Sequence, residues 1–374
     1  MIMAERKKKI TKLKNQSSKK RALKHVIRKI TKKPAKHKRT SLDLKRHANN
    51  PILEPRTERD WESRATFNPT AALIDNKVHI LYRAIGNDDR SVIGYANSHD
   101  GYAIAEKLDH PVYEEDTARS AGITLQIPYS SGGGTAGGSE DPRLTIIDDT
   151  AYMIYTSFDG WGSLRMTLTS ITIEDFLNKR WRWKTPVHIS PPNEIHKCWV
   201  LFPEKIRGKF AILHGLSPEV QIDYFDNLNE LDGKHYIKST YSSNGPSAKS
   251  WDNWMRGVGP APIKTKLGWL VLYHAMDKRD PNRYKLGAML LDLKDPTKII
   301  IRSRQPVLEP DEDYENNGFK WGVVYSCGAV VKDGTLLVYY GGADSVSCVA
   351  AANLNAFLKE LITHGRPGIS RRGR

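Results

Sequence analysis

Two adjacent carboxylates open a short segment that closes on an arginine, Glu140-Asp-Pro-Arg143. A carboxyl buried beside another carboxylate is held protonated and can give up its proton near neutral pH, the property of a general acid. The cation at Arg143 acts the other way and keeps Asp141 ionised, and residue types alone leave that contest open. Asn68, Arg83, Lys197, Glu204, His214, Tyr273, His274 and Asp344 lie at the starts or ends of apolar, strand-like stretches. Carboxylates and Asn hold hydroxyls, aromatics stack on ring faces, and cations hold an oxyanion. Such a set suits a polyhydroxylated ligand, with or without a phosphate.

Other chemistries find little support. The stretch Gly132-Gly-Gly-Thr-Ala-Gly-Gly138 is followed by neither Gly-Lys-Ser/Thr nor a helical pattern, so it reads as a loop leading to Asp141. No HExxH pair and no Gly-x-Ser-x-Gly elbow occurs, and no metal or organic cofactor is expected. Cys198, Cys327 and Cys348 lack CxxC spacing, which points to a reducing, cytoplasmic setting. No apolar run approaches the ~18 residues that span a bilayer, and no secretory signal is expected.

The elements that must position these residues repeat. Five segments share one pattern: a small or polar residue with Pro or Ala, an apolar stretch, a turn, and an apolar strand ending in an aromatic. They begin at Pro69, Pro142, Pro203, Pro260 and Ala329, spaced 73, 61, 57 and 69 residues apart. Asp75-Asn76, Asp148-Asp149, Arg207-Gly208, Leu267-Gly268 and Asp333-Gly334 occupy the places of tight hairpin turns, and a further strand follows each unit. An all-β fold is predicted, a five-bladed β-propeller, with an irregular β-sandwich as the alternative. In a propeller the early positions of the five units converge on one channel: Asn68, Glu140-Asp141, Phe202-Pro203-Glu204, Gly259 and Cys327-Gly328.

The charge is divided along the chain. Residues 1–47 carry 19 Lys/Arg against two acids, and residues 366–374 add four Arg and no acid. Residues 48–365 carry 35 basic and 40 acidic side chains, a mildly acidic body. Hence 1–47 is predicted as a basic, disordered tail, 48–365 as the propeller, and 366–374 as a short basic tail. Leu23, Val26, Ile27 and Ile30 recur at helical spacing, so the tail also suits a short amphipathic helix on nucleic acid or an anionic surface.

Four ordered motifs resemble glycoside hydrolase family 130, which holds β-mannoside phosphorylases and β-mannosidases on a five-bladed propeller. They are Glu140-Asp-Pro-Arg143, Trp199-Val-Leu-Phe-Pro-Glu-Lys205, Gly268-Trp-Leu-Val-Leu-Tyr-His274 and Tyr339-Tyr-Gly-Gly-Ala-Asp344. Trp61-Glu-Ser, Phe67-Asn-Pro and Tyr82-Arg-Ala precede them in the expected order, and the likeness runs from about Asn50 to Leu361. The resemblance implies that Asp141 is the catalytic acid of an inverting reaction, its proton relayed through a mannose hydroxyl. It implies that Arg165, Lys197 and His214 hold inorganic phosphate, the co-substrate, a protonated His214 helping. It places Asn68, Arg83, Glu140, Arg143, Glu204, Tyr273, His274 and Asp344 around the sugar. Trp199, Phe202, Tyr273 and Tyr325 are candidate stacking faces. One departure stands out: Gly215 occupies a place where many members have Arg.

The expected activity is phosphorolysis of a β-mannoside to α-mannose 1-phosphate and a shortened acceptor. Phosphate is already an anionic nucleophile and needs no protein base. Hydrolysis of the same linkage would need one, and Glu204 is the candidate. A non-catalytic sugar-binding propeller is a third possibility, disfavoured by the retained Glu140-Asp-Pro-Arg143. A homo-oligomer is compatible with all three.

Overall fold

Hairpins organise the chain. Asp75-Asn76, Arg207-Gly208 and Asp333-Gly334 each put two successive residues at positive φ, the mirror-image turn whose twist matches antiparallel strands. The computed structural model describes residue 42 and residues 44–115, 136–159, 164–240, 245 and 247–367. The expectations for residues 1–41 and 43, for the glycine-rich stretch before residue 136 and for residues 368–374 lie outside the described residues.

A two-residue strand, β1 (Lys45–Arg46), precedes five antiparallel meanders. The first contains β2 (Ala65–Ile74), β3 (Lys77–Ile85), β4 (Ser91–Ser98) and β5 (Glu106–Lys107). The second contains β6 (Gly138–Ile147), β7 (Thr150–Phe158), β8 (Leu164–Thr172) and β9 (Val187–His188). The third is β10 (Val200–Leu201), β11 (Phe210–Gly215) and β12 (Gln221–Phe225). The fourth runs through β13 (Trp254–Val258), β14 (Ile263–Thr265), β15 (Gly268–Asp277), β16 (Asp280–Leu291) and β17 (Ile299–Arg302). The fifth is β18 (Val324–Lys332), β19 (Thr335–Gly342) and β20 (Val346–Asn353). Helices are few and short among the described residues: α1 (Ile173–Leu177), α2 (Asp313–Asn316) and α3 (Leu354–His364), the last followed by β21 (Arg366–Pro367). None of the described helices is long and apolar enough to cross a membrane.

Strands are buried on both faces because each meander packs between two others. Val78, Ile80 and Tyr82 of β3 meet Leu337, Tyr339 and Val349 of the fifth meander. Leu81, on the opposite face of β3, joins Leu144 and Met153 of the second. The second and third share Ile154, Met166, Trp199 and Ile212. Phe202, Leu213, Trp269 and Met289 join the third to the fourth. Leu272, Leu290, Val338 and Tyr340 join the fourth to the fifth, with Phe357 and Leu361 of α3. The first two meanders also share one hydrogen-bonded sheet through a single parallel pair, Ser91 and Gly138. Gly138 has φ +107, and a Cβ there would fall 2.1 Å from the Ser91 carbonyl oxygen. Only glycine fits that junction.

Two sequence expectations are corrected here. The folded body extends past the boundaries drawn at residues 48 and 365. Leu42 and Leu44 are buried in the core, β1 pairs with β20, and β21 pairs with β17. Charge composition hid both strands, since a two-residue strand has no periodicity to detect. The unit starts at Pro203 and Pro260 are also displaced. In the first and second meanders the proline lies inside the inner strand, after Asn68 and Asp141. In the third and fourth, β10 ends before Pro203 and β13 before Pro260, so the proline marks the strand's end.

Candidate active site

Inner strands of the meanders carry a common irregularity. Register shifts fall between Phe67 and Thr70, Glu140 and Arg143, Met255 and Gly257, and Ser326 and Gly328. Asn68 and Asp141 take positive φ within two of these places, at 49 and 52°, and Cys198, two residues before β10, does so at 67°. A bulge re-aims a side chain that the pleat would otherwise turn away. The positions that the register shifts bring into correspondence are therefore Asn68, Asp141, Arg256 and Cys327, and Cys198 stands at the entry to the third meander. Phe202-Pro203-Glu204 is displaced by Cys198, and Gly259 contributes only its carbonyl.

The carboxyl of Asp141 is buried, 4% exposed. Its Oδ1 accepts from Asn68 Nδ2 at 2.8 Å and lies 3.4 Å from Arg83 Nη1. Arg83 is fully buried on β3, donating Nε to Ser91 Oγ at 2.9 Å and Nη2 to Glu140 Oε1 at 2.8 Å. Lys197 Nζ stands 3.6 Å from the other oxygen of Glu140. Burial pushes the Asp141 carboxyl up, but the charges of Arg83, Lys197 and Arg143 and the Asn68 hydrogen bond outweigh it and bring it below its ordinary value. The contest left open by the sequence thus goes to the cations. Asp344, in the turn after β19 with φ +52, goes the other way. Burial raises it, and the Asp141 charge adds to that against Lys320, Arg83 and Lys197.

Arg143 is engaged on all three of its nitrogens by protein groups. It is 1% exposed, and its Nη1 donates to the backbone carbonyl of Asp141 at 2.9 Å. Its Nε donates to Gly259 O at 3.0 Å and its Nη2 to Tyr325 OH at 3.0 Å. Tyr325 stacks on His274, with ring centroids 4.1 Å apart, and His274 Nε2 accepts from the Ser326 N–H at 3.0 Å. Burial, with the Arg143 charge, holds His274 well below the usual imidazole range, so it is neutral.

The remaining candidates divide. Arg165 donates Nε to Ser190 O at 2.9 Å, and its guanidinium lies 5.3 Å from the Tyr236 ring centroid. The His214 ring packs beside Trp199, and its Nε2 is 3.8 Å from Asp223 Oδ2. Burial, with His196 nearby, lowers His214 to about 4, so it is neutral rather than protonated at pH 7. Glu204 is half-exposed and paired with Lys264 at 2.5 Å, outside the Asp141 cluster. Tyr273 is fully buried and donates its hydroxyl to Asp252 Oδ2 at 2.8 Å, a core role. Trp199 and Phe202 likewise pack in apolar cores. Sequence reasoning missed Cys198, whose Sγ lies 3.0 Å from Tyr325 OH, and Lys320, whose charge acts on Asp344. No motif marked either residue. Among the described residues, no group of three or more His, Cys, Asp or Glu side chains is disposed to hold a metal.

This cluster can hold sugar hydroxyls and move one proton at Asp141. Comparison with known proteins bears on what it does. The sequence model of the glycoside hydrolase 130 family, described as beta-1,4-mannooligosaccharide phosphorylase, matches residues 43–361. A 1,2-beta-oligomannan phosphorylase of Thermoanaerobacter sp. (strain X514) is 39% identical over 317 residues, 83% of this chain and 97% of the relative. A beta-1,2-mannobiose phosphorylase of the same organism is 38% identical, covering 81% and 94%. The solved beta-1,2-mannobiose phosphorylase of Listeria innocua, in complex with beta-1,2-mannobiose, superposes with a TM-score of 0.65 at 25% identity. It covers 86% of this chain and 99% of that one.

Proposed function

Since the chain belongs to glycoside hydrolase family 130, we propose that Asp141 is the proton donor of an inverting β-mannoside phosphorylase. The enzyme converts a β-mannoside and inorganic phosphate to α-mannose 1-phosphate and a shortened acceptor. The observation that carries the assignment is the buried Asp141 carboxyl set by a hydrogen bond from Asn68. Glu140 is engaged by Arg83 and Lys197, and Asp141 beside it is oriented by Asn68 and Arg83.

A phosphate oxygen forms the new bond to the anomeric carbon as the bond to the glycosidic oxygen breaks. The leaving oxygen receives the Asp141 proton through a mannose hydroxyl, and configuration inverts. The surrounding cations hold Asp141 ionised, so it must gain a proton before turnover. Phosphate seated against Lys197, with Arg165 and His214 in the assigned cradle, supplies the negative charge that offsets the cations and permits this. Hydrolysis would need a base, and Glu204 sits instead in a half-exposed ion pair. Because two relatives are named for β-1,2-mannosides, a β-1,2 linkage is the one proposed.

The same reading takes the five meanders as blades of a propeller, supported by the cores that link them in sequence and the fifth to the first. The test of function is cleavage of β-1,2- and β-1,4-mannobiose with and without phosphate. Phosphate-dependent release of α-mannose 1-phosphate is expected, and equal cleavage in phosphate-free buffer would overturn the phosphorylase assignment.

A further inference from the structure

Asp141 is not a glycine, yet its backbone is left-handed, at φ +52. An L-residue with a Cβ rarely holds that conformation unless its surroundings enforce it. The bulge that it shares in kind with Asn68 provides that conformation, and Arg143 fixes the peptide within it. Arg143 sends three donors in three directions: to the Asp141 carbonyl, to Gly259 O of the fourth meander, and to Tyr325 OH of the fifth. Tyr325 OH is in turn 3.0 Å from Cys198 Sγ, at the entry to the third. One buried guanidinium therefore ties the peptide of the proton donor to three other meanders. A planar fork with fixed angles can do this, and a lysine ammonium on a flexible stem cannot.

We propose that Arg143 is a positioning residue that acts through Asp141, with Tyr325 as its second anchor, and makes no contact with the sugar. It sets the direction of the Asp141 carboxyl by holding the carbonyl of the same residue. The inference rests on the assignment of Asp141 as proton donor. Wild-type phosphorolysis is measured alongside, so that its absence would refute that assignment rather than this one.

Arg143→Lys keeps the charge and loses the fork. It should lower kcat by about 10²-fold, the usual cost of a misplacement near 1 Å, while the KM values for phosphate and mannobiose stay within about twofold and the pH profile keeps its shape. An Arg143→Lys enzyme that folds and retains kcat within about twofold would overturn the proposal, as would a rise in sugar KM with kcat intact. Should Arg143→Lys fail to fold, Tyr325→Phe carries the test, because it removes one anchor and keeps the ring stacked on His274. It should lower kcat by about tenfold without moving either KM. Unchanged kcat in Tyr325→Phe would sink the idea.

Discussion

Asn68 Nδ2 donates to Asp141 Oδ1 at 2.8 Å, and the two residues occupy the same place in successive meanders. Each sits at positive φ, each precedes a proline, and each falls in a register shift of an inner strand. Equivalent bulges thus turn an amide and a carboxyl toward one another across two units. The fold makes the pair, and the residue type decides that one member donates a hydrogen bond and the other accepts it.

Asp141→Asn keeps the shape and removes the exchangeable proton. Turnover should fall by ~10²–10⁴-fold, the range of general acid catalysis. Steady-state release of α-mannose 1-phosphate checks this, and near-wild-type turnover would remove Asp141 from the mechanism.

Phosphate binding should be coupled to proton uptake. Asp141 lies below its ordinary value because the cations hold it ionised. An anion that satisfies those cations lets its pKa rise toward neutrality. Calorimetry at pH 7 in buffers of different ionisation enthalpy should show more uptake for wild type than for Asp141→Asn. Equal proton counts would show that phosphate does not act on this carboxyl. In the same samples phosphate at a hundredfold excess over its dissociation constant should stabilise the protein by about 2.7 kcal/mol. Lys197→Ala should diminish that shift.

Asp344 reports on stability through the opposite sign. A carboxyl whose folded pKa is raised favours folding fully only below its unfolded value, and that benefit is lost as pH rises through the folded value. Burial, with the Asp141 charge adding, raises Asp344. Asp344→Asn should therefore be more stable than wild type at pH 7, with the difference shrinking toward pH 4. Urea titrations at the two pH values measure it, and a difference that grows toward pH 4 contradicts the account.

Removal of residues 1–47 should destabilise the body. It deletes Leu42 and Leu44 from the core and strand β1 from the edge of β20. It also strips Arg46 from Glu315, a pair at 2.7 Å whose carboxylate is fully buried. Leaving a buried charge unpaired costs about 3–5 kcal/mol, and each buried Leu adds about 1.5–3. A melting temperature equal to that of the full chain would show that these contacts do not stabilise the body.

Glu204→Gln separates nucleophiles. Its carboxylate pairs with Lys264 on a half-exposed surface, where ion pairs contribute about 0–1 kcal/mol. Phosphorolysis should stay within about twofold of wild type. A hundredfold loss would restore Glu204 to the site.

Local chemistry was legible in the amino-acid sequence. Paired turn residues such as Asp333-Gly334 adopt positive φ for reasons contained in two residues, so four of the five hairpin turns could be read directly, while the turn expected at Leu267-Gly268 falls at Lys266-Leu267, with Gly268 paired to Thr265. Glu140-Asp-Pro-Arg143 likewise pointed to the acidic pair at Asp141. What escaped were relations between distant segments. Proline lies inside the inner strand at Pro69 and Pro142 but beyond its end at Pro203 and Pro260. The ring restricts φ and removes a donor in either place, so its local signature cannot say which. Arg143 reads as a ligand contact until two of its nitrogens are seen to donate to partners 116 and 182 residues away. The balance at Asp141 was likewise undecided in the sequence, because Arg83 on β3 and Lys197 in the segment before β10 act through space. Hydrogen-bond direction and electrostatic balance depend on ångström distances across meanders, and only tertiary structure sets those.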